Sequence, residues 1–267
     1  MVLEDLMSIL LSNDDGIHAP GLRALYEGIK DLEEVFIVAP DREQSATSHS
    51  LTLHRPLRIH KHDQNEFSVD GTPTDCMLLA INKILPKKPR LIISGINHGA
   101  NLGDDVTYSG TVSAALEGAI MGIPSIAVSL VGIQKFNFNL ATKFVKSLAK
   151  KVLEKGLPKG VYLNVNVPGD LVDFTENKDI PYAITHIGKR DYGSVVVEKS
   201  DPRGREYVWI GGDPKGFLKI PGSDCNAILN HLISITPLQV DITHYQFLEE
   251  LRHWELDDFR HSPSKTD

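Results

Sequence analysis

Five short, almost uninterrupted apolar runs constrain this chain more than any other feature. They occupy residues 7–11, 35–39, 91–94, 125–130 and 161–167. A strand with one wet face alternates apolar and polar residues, whereas a strand covered on both faces does not, so runs of this kind fit a parallel sheet sandwiched between helices. Helical spacing appears between them. Leu22, Leu25, Tyr26 and Ile29 fall at i, i+3, i+4 and i+7 behind Pro20, and Leu140, Phe144, Leu148 and Val152 recur at i+4 until Gly156. Strand and helix alternate, which predicts an α/β fold with a Rossmann-like, doubly wound, mostly parallel sheet over residues 1–180.

Two more helices carry start signals. Thr72, Pro73 and Asp75 supply a cap, a first-turn proline and an acid three residues after the cap, ahead of Met77, Leu78, Ile81 and Leu85. Residues 111–120 form a small, closely packable helix after Tyr108, Ser109 and Gly110. Residues 51–70 alternate in the strand manner and predict a hairpin excursion. Beyond 180 the texture changes: residues 194–198 and 206–210 read as strands around the turn 201–204, residues 241–254 as a terminal amphipathic helix, and 260–267 as a polar tail. The expected organisation is a catalytic core over 1–180, with a β-rich arm and C-terminal segment over 181–267 that share its domain and its subunit interface.

Charge narrows the partners. With 28 Lys plus Arg against 35 Asp plus Glu the formal charge is −7, which opposes general attraction to a nucleic-acid polymer or an anionic membrane. An anionic substrate then needs a local device such as a metal or a helix N-terminus. Cys76 and Cys225 stand outside any Cys-x-x-Cys or Cys/His spacing, so they read as reduced thiols in a cytoplasmic protein. The first ten residues hold two acids and no base, unlike a signal peptide, and no apolar run approaches the roughly 18 residues that span a bilayer.

Ligands of doubly wound sheets bind at the carboxyl ends of the strands. The first strand ends at Asn13, Asp14 and Asp15. Two adjacent carboxylates repel unless a cation neutralises them, and with amide and hydroxyl oxygens nearby the donor set suits a hard ion, Mg²⁺, Mn²⁺ or Ca²⁺. The same pair would equally cap the helix near Pro20 or form an Asx turn. Residues 94–111 are dense in Gly, Asn, Ser and Asp, and the helix that follows presents free N–H groups, making Ser109, Gly110 and Thr111 natural phosphate contacts. This spacing is neither the dinucleotide fingerprint nor the P-loop, and Asp14-Asp15 is not the Asp-x-Asp of aspartyl-phosphate enzymes.

Other polar residues carry weaker readings. His54, His60 and His62 invite a metal reading, with 60 and 62 on one strand face, yet they lie among Arg55, Arg58 and Lys61, which read better as a solvated hairpin. His98 sits where a substrate could be touched, Asp75 reads as a capping acid, and Asp104 and Asp105 either join the site or begin a turn. Tyr207 and Trp209 suit packing or a subunit contact.

Four segments occur together and in order: residues 9–21 around Ser-Asn-Asp-Asp-Gly, residues 39–45 (Ala-Pro-Asp-Arg-x-x-Ser), residues 71–76 (Gly-Thr-Pro-Thr-Asp-Cys) and residues 94–112. In these segments, and in Pro-Gly-Ser-Asp at 221–224 and residues 234–243, the chain resembles the SurE family of survival proteins from about Met7 to about 245. The resemblance implies a metal-dependent acid phosphatase acting as a 5′(3′)-nucleotidase, with one divalent metal per subunit held by Asp14, Asp15, Ser45 and Asn97 and phosphate contacts from Asn101, Ser109, Gly110 and Thr111. It also implies a cytoplasmic homodimer or homotetramer with C-terminal exchange. The residues themselves suit metal-activated water attack, with Asp14 or Asp15 as the proton acceptor and Asn13 beside the substrate; a broader phosphatase or polyphosphatase stands as the alternative to a dedicated nucleotidase. The chain departs from the family pattern at Ala46, where Gly is usual after the serine, and at His49, where Asn is common; Met7 stands where family chains usually begin, so residues 1–6 read either as an extension of the assigned start or as a flexible leader. A non-catalytic nucleotide-binding module on the same fold is the competing class, but binding alone does not need two adjacent carboxylates with a serine and an asparagine around a cation.

Overall fold

The computed structural model describes residues 7–132, 137–169, 180–191, 196–210, 216–254 and 256. The expected leader 1–6, the tail 260–267 and the first two residues of the run 194–198 lie outside them. Five strands coincide with the apolar runs: β1 (Ser8–Ser12), β2 (Glu34–Pro40), β5 (Leu91–His98), β6 (Ser125–Val131) and β7 (Val161–Pro168). Between β2 and β5 come β3 (Ile59–Asp63) and β4 (Glu66–Val69). After β7 follow β8 (Tyr182–Ile184), β9 (Arg190–Asp191), β10 (Val196–Ser200), β11 (Glu206–Ile210), β12 (Gly216–Phe217) and β13 (Ile233–Gln239). The nine-stranded central sheet has the order β3-β4-β2-β1-β5-β6-β7-β13-β8. Its pairings are parallel except β3 with β4 and β13 with β7.

The helices are α1 (Pro20–Ile29), α2 (Pro73–Leu79), α3 (Gly110–Ile120), α4 (Asn139–Lys155), α5 (Asp224–Leu229) and α6 (Tyr245–Leu251). Successive residues of β1 serve opposite layers. Ile9 and Leu11 join Leu22, Leu25 and Ile29 of α1 and Val145 and Val152 of α4, while Leu10 joins Cys76 and Met77 of α2 and Ala114 of α3. Each fully buried aliphatic side chain contributes about 1.5–3 kcal/mol relative to exposure, which is why the runs show no alternation.

Some expectations are corrected. Residues 51–58 form no strand and the hairpin begins only at Ile59: Thr52 N–H donates to Asp75 Oδ1 and Arg58 N–H to Asp70 Oδ1, side chains that take the place of a strand partner at the two ends of the segment. The helix begun at Thr72 passes into a π-helical turn over Ala80–Ile84. The sheet also draws β8 and β13 from beyond residue 180. The expected arm is present as the antiparallel β10–β11 pair, and the terminal helix is the shorter α6. Among the described residues no helix is long and apolar enough to cross a membrane.

The chain crosses from β2 on one side of β1 to β5 on the other. That reversal opens a crevice beyond the carboxyl ends of β1 and β5, where Ser12 pairs with Ser94.

Candidate active site

Asp14 and Asp15 leave β1 directly into this crevice. Asp14 is 5% exposed and lies against the start of α3, where the Thr111 hydroxyl donates to its Oδ1. Gly110 makes the approach possible, since a Cβ there would stand 2.7 Å from Asp14 Cβ and 2.9 Å from its Oδ2. Burial pushes the Asp14 carboxyl up to about 6, opposed by the Thr111 hydrogen bond and reinforced by the charge of Asp15. Burial also raises Asp15, opposed by His98 and reinforced by Glu43. His98 N–H donates to Asp15 Oδ2 at 3.4 Å, and its Nδ1 lies 3.8 Å from Oδ1.

The loop after β2 is tied to the same place, for Gln44 N–H donates to the Asp14 carbonyl at 2.7 Å. Ser45 follows, its hydroxyl donating to Glu43 Oε1 at 2.6 Å. Ala46 adopts φ +56°. His49 pairs through Nε2 with the buried Glu117 of α3 at 2.7 Å.

Asn97 comes from the end of β5, where the register to β6 slips by one residue between Ser94 and Asn97. Such a slip re-aims the side chains beyond it. Asn97 Nδ2 donates to the Gly99 carbonyl at 3.0 Å, so its oxygen is the atom available to a cation. Asn101 is pinned harder. Its N–H donates to Asn166 Oδ1 at 2.9 Å, its carbonyl accepts from Asn164 and Asn166, and its Nδ2 donates to Ser129 Oγ at 2.8 Å. Ser109 caps α3 by accepting from Val112 N–H at 3.1 Å, leaving the N–H groups of Gly110 and Thr111 in a first turn that has no intrahelical acceptor for them.

An open cavity of about 430 Å³ joins these pieces, lined by Asp14, Asp15, Glu43, Ser45, Ala46, Asn97, His98, Ala100, Asn101, Asp105, Tyr108, Ser109 and Arg190. Of the residues anticipated from sequence, Asp14, Asp15, Ser45, Asn97, Asn101 and Ser109 share this wall. Gly110 and Thr111 lie directly behind Asp14. Asn13 does not line it; fully buried, it closes the turn by donating to the Gly16 carbonyl at 2.9 Å. Asp75 is a helix cap, exchanging two hydrogen bonds with Thr72. His62 meets Ser68 on the solvated hairpin. Asp105 faces the cavity paired with Arg190, and Asp104 does not line it.

Sequence reading had missed Glu43, Tyr108 and Arg190. Glu43 was within reach, two residues before Ser45. Arg190 was not, because it joins from β9, 85 residues after its partner Asp105.

The donor chemistry fits a hard divalent ion. Two carboxylates, a hydroxyl and an amide oxygen are all hard donors, and both carboxyls are driven up by burial. Among the described residues no lysine or arginine is paired with Asp14 or Asp15 to neutralise them, and His98 is the one ion-pair partner of Asp15.

Known proteins resemble the chain over nearly its whole length. The profile described as survival protein SurE matches residues 9–194. A protein of Geotalea daltonii named 5′-nucleotidase SurE is 53% identical over 251 residues, 94% of this chain and the whole of that one. One of the same name from Myxococcus xanthus is 50% identical over 258 residues, 96% of each chain. The crystal structure of the SurE protein from Aquifex aeolicus superposes with a TM-score of 0.82 at 43% identity, covering 92% of this chain and 98% of that one.

Proposed function

The chain belongs to the survival protein SurE family, and from that premise we propose that it is a 5′-nucleotidase, hydrolysing nucleoside monophosphates to nucleoside and phosphate. The observation that carries the reading is the juxtaposition of Asp14 and Asp15 with the first turn of α3 across one cavity. Carboxylates there serve a cation and a proton, while the helix terminus serves a phosphoryl group.

Asp14, Asp15, Ser45 Oγ and Asn97 Oδ1 are the groups that would hold one Mg²⁺, Mn²⁺ or Ca²⁺. When bound, such an ion supplies Lewis-acid polarisation and neutralises phosphoryl charge. The N–H groups of Gly110 and Thr111, with Ser109 and Asn101 beside them, hold the phosphoryl oxygens. Thr111 fixes the rotamer of Asp14, and His98 N–H orients Asp15. The aspartate pair is the proton acceptor for the attacking water. Nucleoside 3′-monophosphates and short polyphosphate belong to the same chemistry, since the cavity is open to solvent.

The chain works as a cytoplasmic homodimer or homotetramer. Support comes from the outward β10–β11 hairpin, which leaves Trp209 61% and Ile210 83% exposed, and from α6, which buries none of its residues although Tyr245, Phe247 and Leu251 are apolar. Exposed apolar area of this kind is the mark of a contact surface, in line with C-terminal exchange.

The test is phosphate release from nucleoside 5′- and 3′-monophosphates and short polyphosphate, with Mn²⁺, with Mg²⁺ and after EDTA, for wild type and Asp14→Ala. Turnover lost on chelation and on substitution is expected. Turnover that survives both, or none on the whole panel, would remove the nucleotidase reading.

A further inference from the structure

Four carboxylates line the cavity, those of Asp14, Asp15, Glu43 and Asp105, against one guanidinium, that of Arg190. A phosphomonoester is itself an anion. Even with a divalent ion in place, its approach is opposed unless a fixed positive charge faces it.

Arg190 is built into its position. Its Nη1 donates to both oxygens of Asp105 at 2.8 Å, in a pair that is 30% and 19% exposed. Behind this pair lies Asp224, a carboxylate with no measurable exposure. Asp224 Oδ1 accepts from Gly188 N–H and Cys225 N–H, each at 2.7 Å, and its Oδ2 accepts from Gly103 N–H at 3.0 Å. Gly103 stands two residues before Asp105 and Gly188 two residues before Arg190, so one buried carboxylate sets both halves of the ion pair. The fit at Gly188 is close enough that a Cβ there would lie 2.8 Å from Asp224 Oδ1. A buried charge satisfied by three backbone donors is costly to disturb, and the wall it holds is therefore stiff.

We propose that Arg190 is a substrate-binding residue, the fixed cation that draws the phosphoryl group into the cavity, and that Asp224 is the positioning residue that aims it. The proposal rests on the phosphomonoesterase reading above and adds to it the group that governs substrate affinity. Asp105 keeps the guanidinium extended along the wall, and the substrate phosphate competes with Asp105 for it.

The experiment measures binding of inorganic phosphate by calorimetry and steady-state kinetics on a nucleoside 5′-monophosphate, for wild type, Arg190→Gln, Arg190→Lys, Asp224→Asn and Arg190→Gln/Asp224→Asn. Loss of one charge-assisted contact predicts that Arg190→Gln weakens phosphate binding and raises KM by about tenfold or more, with kcat changed by less than about threefold. Arg190→Lys recovers part of the loss, and the difference from wild type shrinks in high salt. Asp224→Asn raises KM in the same sense and adds little on top of Arg190→Gln, whereas a merely structural role would add in full. Should Asp224→Asn fail to fold, the Arg190 variants alone decide the binding role. Unchanged KM and phosphate affinity in Arg190→Gln, or a fall in kcat with KM intact, overturns the inference while leaving the nucleotidase reading in place. A wild type that neither binds phosphate nor turns over overturns both.

Discussion

The Thr111 hydroxyl donates to Asp14 Oδ1 across 97 residues of sequence, joining the end of the first strand to the first turn of α3. Through this bond the group best suited to a cation and the helix terminus best suited to a phosphate are held as one unit. Thr111→Val removes the donor while keeping the shape. Its acid limb in the pH–rate profile should move to higher pH, because the bond to Thr111 is what opposes the upward push of burial on Asp14. A profile that stays in place would show that Asp14 does not titrate in catalysis.

Asp14 also makes a prediction about stability. Its carboxyl lies at about 6 in the folded protein against 3.8 as the ordinary value, so the folded state binds the proton more tightly than the unfolded state. Stability without metal should therefore fall as pH rises from about 4 to about 6, by on the order of 3 kcal/mol, and stay lowered above that. Asp14→Asn removes its share of the dependence and leaves that of Asp15, which burial also raises, giving a more stable but inactive protein in EDTA at pH 7.5. Thermal melts of both proteins between pH 4 and 8, with and without Mn²⁺, check this. In wild type the added ion should raise Tm, and in Asp14→Asn it should do so far less.

Gly110→Ala should spare the fold and destroy the site. The added methyl meets the Asp14 side chain at 2.7 Å, so either Asp14 swings out or α3 shifts. A displacement of about 1 Å at a reacting centre costs roughly a hundredfold in rate. Near-normal kcat/KM in a variant with a wild-type circular dichroism spectrum would contradict the placement of Asp14.

Ala46 holds φ +56°, a conformation that costs an L-residue roughly 1–2 kcal/mol. Ala46→Gly relieves this at the expense of about 0.4–1 kcal/mol of unfolded-chain entropy. A net gain of up to about 1.5 kcal/mol is expected in denaturant titration, and Ala46→Val should destabilise instead. The reverse order would mean that the loop carries no strain.

Asn166→Ala should unpin Asn101. Two hydrogen bonds with a fully buried side chain disappear, and the Asn101 N–H loses its partner while the Asn101 carbonyl keeps Asn164. One unsatisfied buried donor costs about 1–3 kcal/mol. Chemical denaturation measures the cost, and a raised KM for phosphate substrates should accompany it because Asn101 faces the cavity.

Much of this architecture is legible one residue at a time. The run Ser8–Ser12 is apolar throughout because Ile9 and Leu11 face one helical layer and Leu10 the other. That pattern depends only on local periodicity and burial, so it survives in the sequence. Asp14, Asp15 and Ser109 announce themselves similarly, since strand ends and helix caps have local signatures. The strand β13 does not. Pro237 interrupts its run, and its place beside β7 is set by antiparallel pairing with a strand about 70 residues earlier. Residues 51–58 mislead in the other direction, for their alternation is genuine but Thr52 N–H goes to the Asp75 carboxylate and Arg58 N–H to that of Asp70.

The sequence by itself determined the alternating α/β order, the strand that would carry the paired carboxylates and the helix whose N-terminus would meet a phosphate. These follow from interactions within a turn or two of chain. The tertiary structure alone decided that Thr111 holds Asp14, that Asn164 and Asn166 hold Asn101, and that Asp224 brings Arg190 to Asp105. Each of those contacts joins residues about 35 to 120 positions apart, and no local preference encodes a partner that only the closing of the sheet brings within reach.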